Sequence, residues 1–472
     1  MSSESKFGVH LPIVAIWKNG PWRWLALVAL IYLATNSGRV GNEDAAVMLD
    51  VTRSMLRGGV SIPEHQNAVR GVGDALYSPY GPLVSIVWIP AVVAAGIIHR
   101  LLPSIPLEML EEFAASFCSA IPSLTLLGYS IAYWRDRGIS EGRQKWGVIV
   151  IGLATLWWPY SKLPMSDPWM ALGIVAAVFH WQKRPEAPTH ALLAGLWLGV
   201  AWLSRKQAQM LVPLIFLSWW LGDLKAGWKS HLGRMLIVVA GMLPWLGVQL
   251  AYNWLRFGNF LTERYPNLEL EPLDLGLMVR RIFLLSFDTG NGFLWFNLAT
   301  VTIGALAWRN WWRLERGTCL VVILTSVTTF PFLSRFYYWN GGGCFGPRYL
   351  LFLTGLLGLG WAYLPTILGA KQRLLATFAT LTGTLFIFAG VVVDSNAVNL
   401  RLSLNSRPGT LPVLGYFMEM RRVAFGEPKP FSPELAKTVY ATHPAFQVPD
   451  FWWCHLLHYR RAGTNSTTPV SP

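Results

Sequence analysis

Apolar stretches of about 15 to 24 residues recur along the chain and are separated by short polar or basic turns. They cover residues 22–37, 110–133, 147–161, 168–182, 190–204, 208–222, 235–254, 292–308, 319–336, 349–366 and 374–393. Helices near this length can cross a hydrocarbon core of roughly 30 Å. A transmembrane barrel would instead show short alternating strands. The pattern therefore predicts an all-α polytopic membrane protein with about 11 transmembrane helices. Residues 82–102 are also apolar, but a full crossing there would turn every later Arg-rich loop outward. They are read as a juxtamembrane or re-entrant helix within a large first outer loop. The stretch before Pro21 lacks a small-residue cleavage site, so the first span is expected to stay as an anchor.

Composition agrees. The 472 residues are 53% hydrophobic and only 14% charged, against about 25% charged in soluble domains. The formal net charge of +14 follows the positive-inside rule, and no nucleic-acid-binding motif accompanies it. With the N-terminus inside, Arg135, Arg137, Arg143, Lys145, Arg309, Arg313 and Arg316 fall inside. Asp44, Asp167, the segment 256–288 and the segment 339–348 fall outside. The chain divides into a membrane domain, 1–393, and a more polar, proline-bearing outer tail, 394–472. No internal repeat supports an inverted-repeat transporter.

Four polar clusters meet on the proposed outer face. Glu43-Asp44 is followed by Arg53 nine residues on, then by Arg70 and Tyr80-Gly81-Pro82-Leu83. Asp167 stands at the mouth of a span. Arg205-Lys206 lies between two apolar runs, and Arg348-Tyr349 follows a glycine-rich turn. Cations near a bilayer are costly unless paired. A phosphate at headgroup depth would pair them, and Arg suits bidentate phosphate contact. The plain alternatives are snorkelling for Arg205 and Lys206, a span-end anchor for Arg348 and a helix N-cap for Asp44. A carboxylate here could also serve as the base of a group transfer. Four cysteines, at 118, 319, 344 and 454, show no CxxC spacing. Cys344 and Cys454 face outward in this topology, where a bond between them would tie the tail across the site, although two cysteines alone do not establish its geometry.

The order of these features resembles the GT-C superfamily of polytopic glycosyltransferases, closest to the protein O-mannosyltransferase and aminoarabinose-transferase branch. Asp44, Arg53, Met55 and Tyr80-Gly81-Pro82-Leu83 follow its first-loop order. Asp167-Pro168 resembles its second-loop carboxylate, and Leu203-Ser204-Arg205-Lys206 its Leu-Thr-Lys element. Tyr252-Asn253, Arg256-Phe257-Gly258 and Phe345-Gly346-Pro347-Arg348-Tyr349 resemble segments of bacterial members. The chain departs from the pattern in two places. Glu43 precedes Asp44 where the family often has Asp-Glu, and the lysine often found before Pro-Leu is absent.

The resemblance implies a GT-C-like bundle and a polyprenyl (or dolichyl) phosphate sugar donor used on the extracytoplasmic face, in a plasma membrane of bacterial type. Asp44, Glu43 and Asp167 would be the catalytic carboxylates. Arg53, Arg70, Tyr80, Arg205, Lys206, Arg348 and Tyr349 would bind substrate. Transfer would invert the anomeric centre, and neither metal nor other cofactor is required, because cations would hold the leaving phosphate. The acceptor stays open among a glycolipid, a cell-wall polymer and a protein. A lipid-linked saccharide flippase and a non-catalytic assembly subunit are the rival readings.

Overall fold

The computed structural model describes residues 20–456 apart from 184–186, 223–227, 265–269, 289, 337–338, 340, 342–343, 395–411 and 426–447. The described chain is a helical bundle. Its elements are α1 (Trp22–Ala34), α2 (Glu43–Leu56), α3 (Leu83–Leu101), α4 (Leu107–Cys118), α5 (Ala120–Asp136), α6 (Glu141–Leu153), α7 (Asp167–Trp181), α8 (Pro188–Ser204), α9 (Gln207–Gly222), α10 (Trp228–Phe257), α11 (Leu275–Phe287), α12 (Leu298–Leu314), α13 (Arg316–Ser334), α14 (Leu351–Leu359), α15 (Ala370–Val392) and α16 (Pro412–Phe425). A two-stranded antiparallel ribbon, β1 (Val69–Arg70) and β2 (Leu76–Tyr77), lies in the first long loop. Among the described residues, five helices are long and apolar enough to cross a membrane: Leu83–Leu101, Leu107–Asp136, Lys229–Phe257, Arg316–Ser334 and Ala370–Val392. Each of the eleven apolar stretches forms helix, several of them shorter than the pattern suggested.

Two polar layers mark the ends of the bundle. At one end Asp44 meets Arg348 and Asp167 meets Arg205. At the other, Arg137 pairs with Glu315 and Lys183 with Asp136. α7 is buried along its whole length, as expected of a helix apolar on every side. It stands at the centre of the bundle, and Pro168 just inside its start presets the backbone for the first turn. That places Asp167 in the middle of one end of the molecule.

Residues 82–102 settle into α3, whose length alone would permit a crossing. Its start lies in one of the two layers. Leu83 packs on Leu203 and Val200 at the Asp167 end of α8. From α3 the chain turns back through α4. There Ser116 bonds Asn36 just past α1, and Ser119 Oγ donates to Ser161 O near the same end. The unit 83–118 thus leaves and returns to one layer and does not change the direction of α5. A cysteine placed at Ser61, in the first loop, is therefore expected to label with an impermeant maleimide from the side opposite to one at Ser140. Labelling of both from the same side would show that α3 crosses.

The tail boundary at residue 394 falls beside residues outside the description, and most of 394–472 lies there. The described parts do not stand apart from the bundle. Tyr416 of α16 packs edge-on against Phe345, with ring centroids 4.9 Å apart. Residues 448–456 fold back on α1: Trp452 N donates to Asn36 O at 2.8 Å, and Trp453 Nε1 to Ala34 O at 2.9 Å. Beneath them Lys162, 2% exposed, holds Asp450 at 2.6 Å and the Val391 carbonyl at 2.8 Å. Arg39 adds ion pairs to Asp394 and Asp450. All four cysteines are free thiols, so no disulfide ties Cys344 to Cys454.

Candidate active site

The site is built on the first turns of helices and the loops joining them. α2 starts on Asn42, whose side-chain oxygen accepts from Ala45 N at 2.8 Å. Asn42 is therefore the N-cap, and Asp44 is left free to face the bundle. Tyr80 OH donates to Asp44 Oδ1 at 2.5 Å, and Arg348 Nη1 donates to Oδ2 at 2.8 Å. Burial pushes the Asp44 pKa up, but Arg348, the Tyr80 hydroxyl and Arg205 outweigh it and hold the carboxyl below its usual range. Arg348 is itself only 8% exposed and its Nε has no partner. It is therefore more than a span-end anchor.

Asp167 is fully buried, and its Oδ2 pairs with Arg205 Nη1 at 2.6 Å. Among the described residues its Oδ1 has no hydrogen-bond partner. Both arginines approach the Tyr349 ring, at 4.8 Å for Arg205 and 5.0 Å for Arg348. Lys206 pairs with Glu263 at 3.2 Å. Burial lowers the Lys206 pKa against the pull of Glu263.

Part of this cluster lines a cavity of about 450 Å³. Tyr80, Arg205, Lys206, Glu263 and Tyr349 form its polar side, and Met210, Phe332, Leu333 and Phe336 its apolar side. The departure at Gly81 has a steric cause. A Cβ there would lie 2.1 Å from the Leu203 carbonyl oxygen, so no lysine fits at that position. The loop just beyond Leu203 instead carries Arg205 and Lys206 to the same cavity.

Three of the residues named from sequence stand elsewhere. Arg53 pairs with Asp50 at 2.8 Å and Glu111 at 2.7 Å. At about 100° per helical residue, a nine-residue step turns roughly half a circle beyond whole turns, so Arg53 points away from Asp44. Asp44 is set apart from Glu43 by Arg348 and Tyr80. Glu43 turns outward to His65, at 3.1 Å. Arg70 is exposed on the ribbon.

Glu263, with Gln209 and Gln249 donating to it at 3.3 and 3.1 Å, was not visible in the sequence. It lies in an irregular loop with no motif around it. Arg256 sits in a segment the family pattern did mark. It is 2% exposed and donates to Ser78 O at 2.6 Å, fixing the loop that carries Tyr80.

The helical fold of this chain has counterparts among solved structures. Two solved structures share it across most of the chain. Both are ArnT from Cupriavidus metallidurans. The apo form has a TM-score of 0.52 and 15% identity, covering 87% of this chain and 68% of its own. The form bound to undecaprenyl phosphate has a TM-score of 0.52 and 14% identity, covering 95% and 75%. An oligosaccharyltransferase, AglB from Archaeoglobus fulgidus, aligns at a TM-score of 0.46 with 11% identity, covering 87% of this chain and 61% of its own. No family model matches the sequence, and no curated protein matches it either.

Proposed function

We propose that this chain is an integral-membrane glycosyltransferase that moves a monosaccharide from a polyprenyl-phosphate donor to an acceptor hydroxyl on the extracytoplasmic face. One observation carries the reading. Arg205, paired with Asp167, and Lys206, paired with Glu263, line a cavity that is polar on one side and apolar on the other, and the Asp44–Arg348 pair adjoins it through Tyr80 and Tyr349. That combination suits a phosphate attached to an isoprenoid chain. A ligand of this kind, undecaprenyl phosphate, is bound by ArnT. The orientation rests on the basic loops at the opposite end of the bundle.

In this reading Arg205, Lys206 and Arg348 hold the donor phosphate. Asp44 takes the proton of the acceptor hydroxyl as its oxygen attacks the anomeric carbon. The carbon–oxygen bond to phosphate breaks with its electron pair going to the phosphate, and the anomeric centre inverts. Without donor, Asp44 is engaged by Arg348 and Tyr80. A phosphate gives Arg348 a second anion and leaves Asp44 freer to accept a proton. Residues 1–393 carry this machinery.

The test is release of polyprenyl phosphate by purified protein given polyprenyl-phosphate monosaccharides. Binding without turnover of any of them would overturn the enzymatic reading. Lys206→Ala is expected to weaken donor binding roughly 10- to 150-fold, the value of one charge-assisted contact of about 1.5–3 kcal/mol. Unchanged donor affinity would reduce Lys206 to a partner of Glu263. Tyr80→Phe removes a hydrogen bond to the ionised carboxylate, so the acid limb of the kcat/KM profile should move to higher pH.

A further inference from the structure

A second cavity, of about 580 Å³, opens at the other end of the bundle. It lies between the turn joining α5 to α6, the end of α12 and the segment after α14. Arg137, Arg143 and Arg313 line it, together with Ser140, Asn310 and Leu314. Arg137 is locked in place. Its Nε donates to Tyr363 OH at 2.6 Å and its Nη1 to Tyr133 O at 3.0 Å, and it also pairs with Glu315.

The other two arginines are different. Arg143 donates to the Leu364 carbonyl at 3.0 Å, and Arg313 is exposed. Neither pairs with a carboxylate among the described residues. Ser140 is the N-cap of α6, yet its hydroxyl makes no cap bond. Its hydroxyl and the first amides of the helix are not engaged by a side-chain cap, and the helix end is electropositive, with the Glu141 carboxylate in its first turn. The rim is apolar: Leu314 is 72% exposed, and Ile367, one residue beyond Thr366 of the lining, is 87% exposed.

We propose that this cleft binds a phosphate ester, supplied by the headgroup of an anionic membrane lipid. The Arg143 and Arg313 guanidinium groups and the helix start receive the phosphate. The remaining volume takes its glycerol, and Leu314 and Ile367 meet the first part of the acyl chains. Charge bias at this end accounts for basic residues in general. It does not account for their arrangement around a cleft with apolar lips.

The experiment is native mass spectrometry of the full-length protein in detergent with an equal mixture of phosphatidylglycerol and phosphatidylethanolamine. The wild type should retain phosphatidylglycerol preferentially. Arg143→Gln with Arg313→Gln should lower that retention at least about tenfold. Arg313→Gln alone removes no bond of the fold and should already lower it. Arg135→Gln with Arg309→Gln, which removes the same charge outside the cleft, should leave it unchanged. Absence of headgroup preference, or equal loss in both double variants, would overturn the site. Displacement of the lipid by millimolar glycerol 1-phosphate would keep a phosphate site but overturn its assignment to a lipid.

Discussion

Asp44→Asn is expected to lower transfer by 10²- to 10⁴-fold, the usual cost of losing a general base, while donor binding holds or tightens. The second half of that result separates a catalytic role from a structural one. Asp44 is a partner of Arg348, with which it shares a 2.8 Å contact. The amide cannot neutralise that guanidinium, so the variant leaves a largely buried cation in need of an anion, and the donor phosphate supplies one. Were Asp44 merely a brace for Arg348, the substitution would instead lower stability and donor affinity together. Glu43→Gln is the control, since Glu43 faces His65 and should leave turnover within about twofold, as most surface changes leave stability within about 0.5 kcal/mol. Normal turnover by the Asn variant, measured as polyprenyl phosphate released, would remove Asp44 from the reaction.

Arg205→Gln should cost about 3–5 kcal/mol of stability, because it strands Asp167, a carboxylate with 0% exposure, without its closest partner. Adding Asp167→Asn to the same chain should recover most of that loss, since a neutral pair no longer carries a buried uncompensated charge. The melting temperature in detergent reads this cycle directly. Turnover should read differently. The double variant keeps its fold but lacks one of the cations proposed to face phosphate, and it should bind donor more weakly than wild type. Full recovery of donor affinity in the double variant would make this pair architectural only. Failure of the double variant to regain stability would mean that Arg205 acts on the fold through Tyr349 more than through Asp167.

The helices were legible in sequence because the physics that specifies them is local. A run of apolar residues in lipid must satisfy its own backbone hydrogen bonds, and a helix does that within the run. Helix ends were less legible. α6 and α14 stop early, and the chain passes through short turns at Trp157–Tyr160 and Gly360–Tyr363 before the next element. Asp44, Asp167, Arg205 and Arg348 could be named because charge at membrane depth is conspicuous. Their pairing was not legible, since partners 304 and 38 residues apart are brought together by packing alone. Arg53 follows the first-loop order of the family, yet helical geometry turns it away from Asp44, toward Asp50 and Glu111. Glu263 stayed hidden because an acidic residue in a long outer loop looks like any solvated charge until Lys206 arrives beside it.

The packing of residues 448–456 over Lys162 bears on how the protein is made. Lys162 and Asp450 are separated by 288 residues. At roughly 5–20 residues per second of synthesis, the ammonium waits for about 15–60 s before its carboxylate exists. During that interval the neighbouring helices can insert and associate, but Lys162 must keep its water, because a lone buried ammonium is expensive. The segment 448–456, made long after Lys162, is thus the one that dehydrates this corner and lets Arg39, Asp394 and Asp450 close together. A ribosome halted before residue 450 would leave a bundle assembled in outline, still wet at Lys162, and open to quality-control proteases at that end.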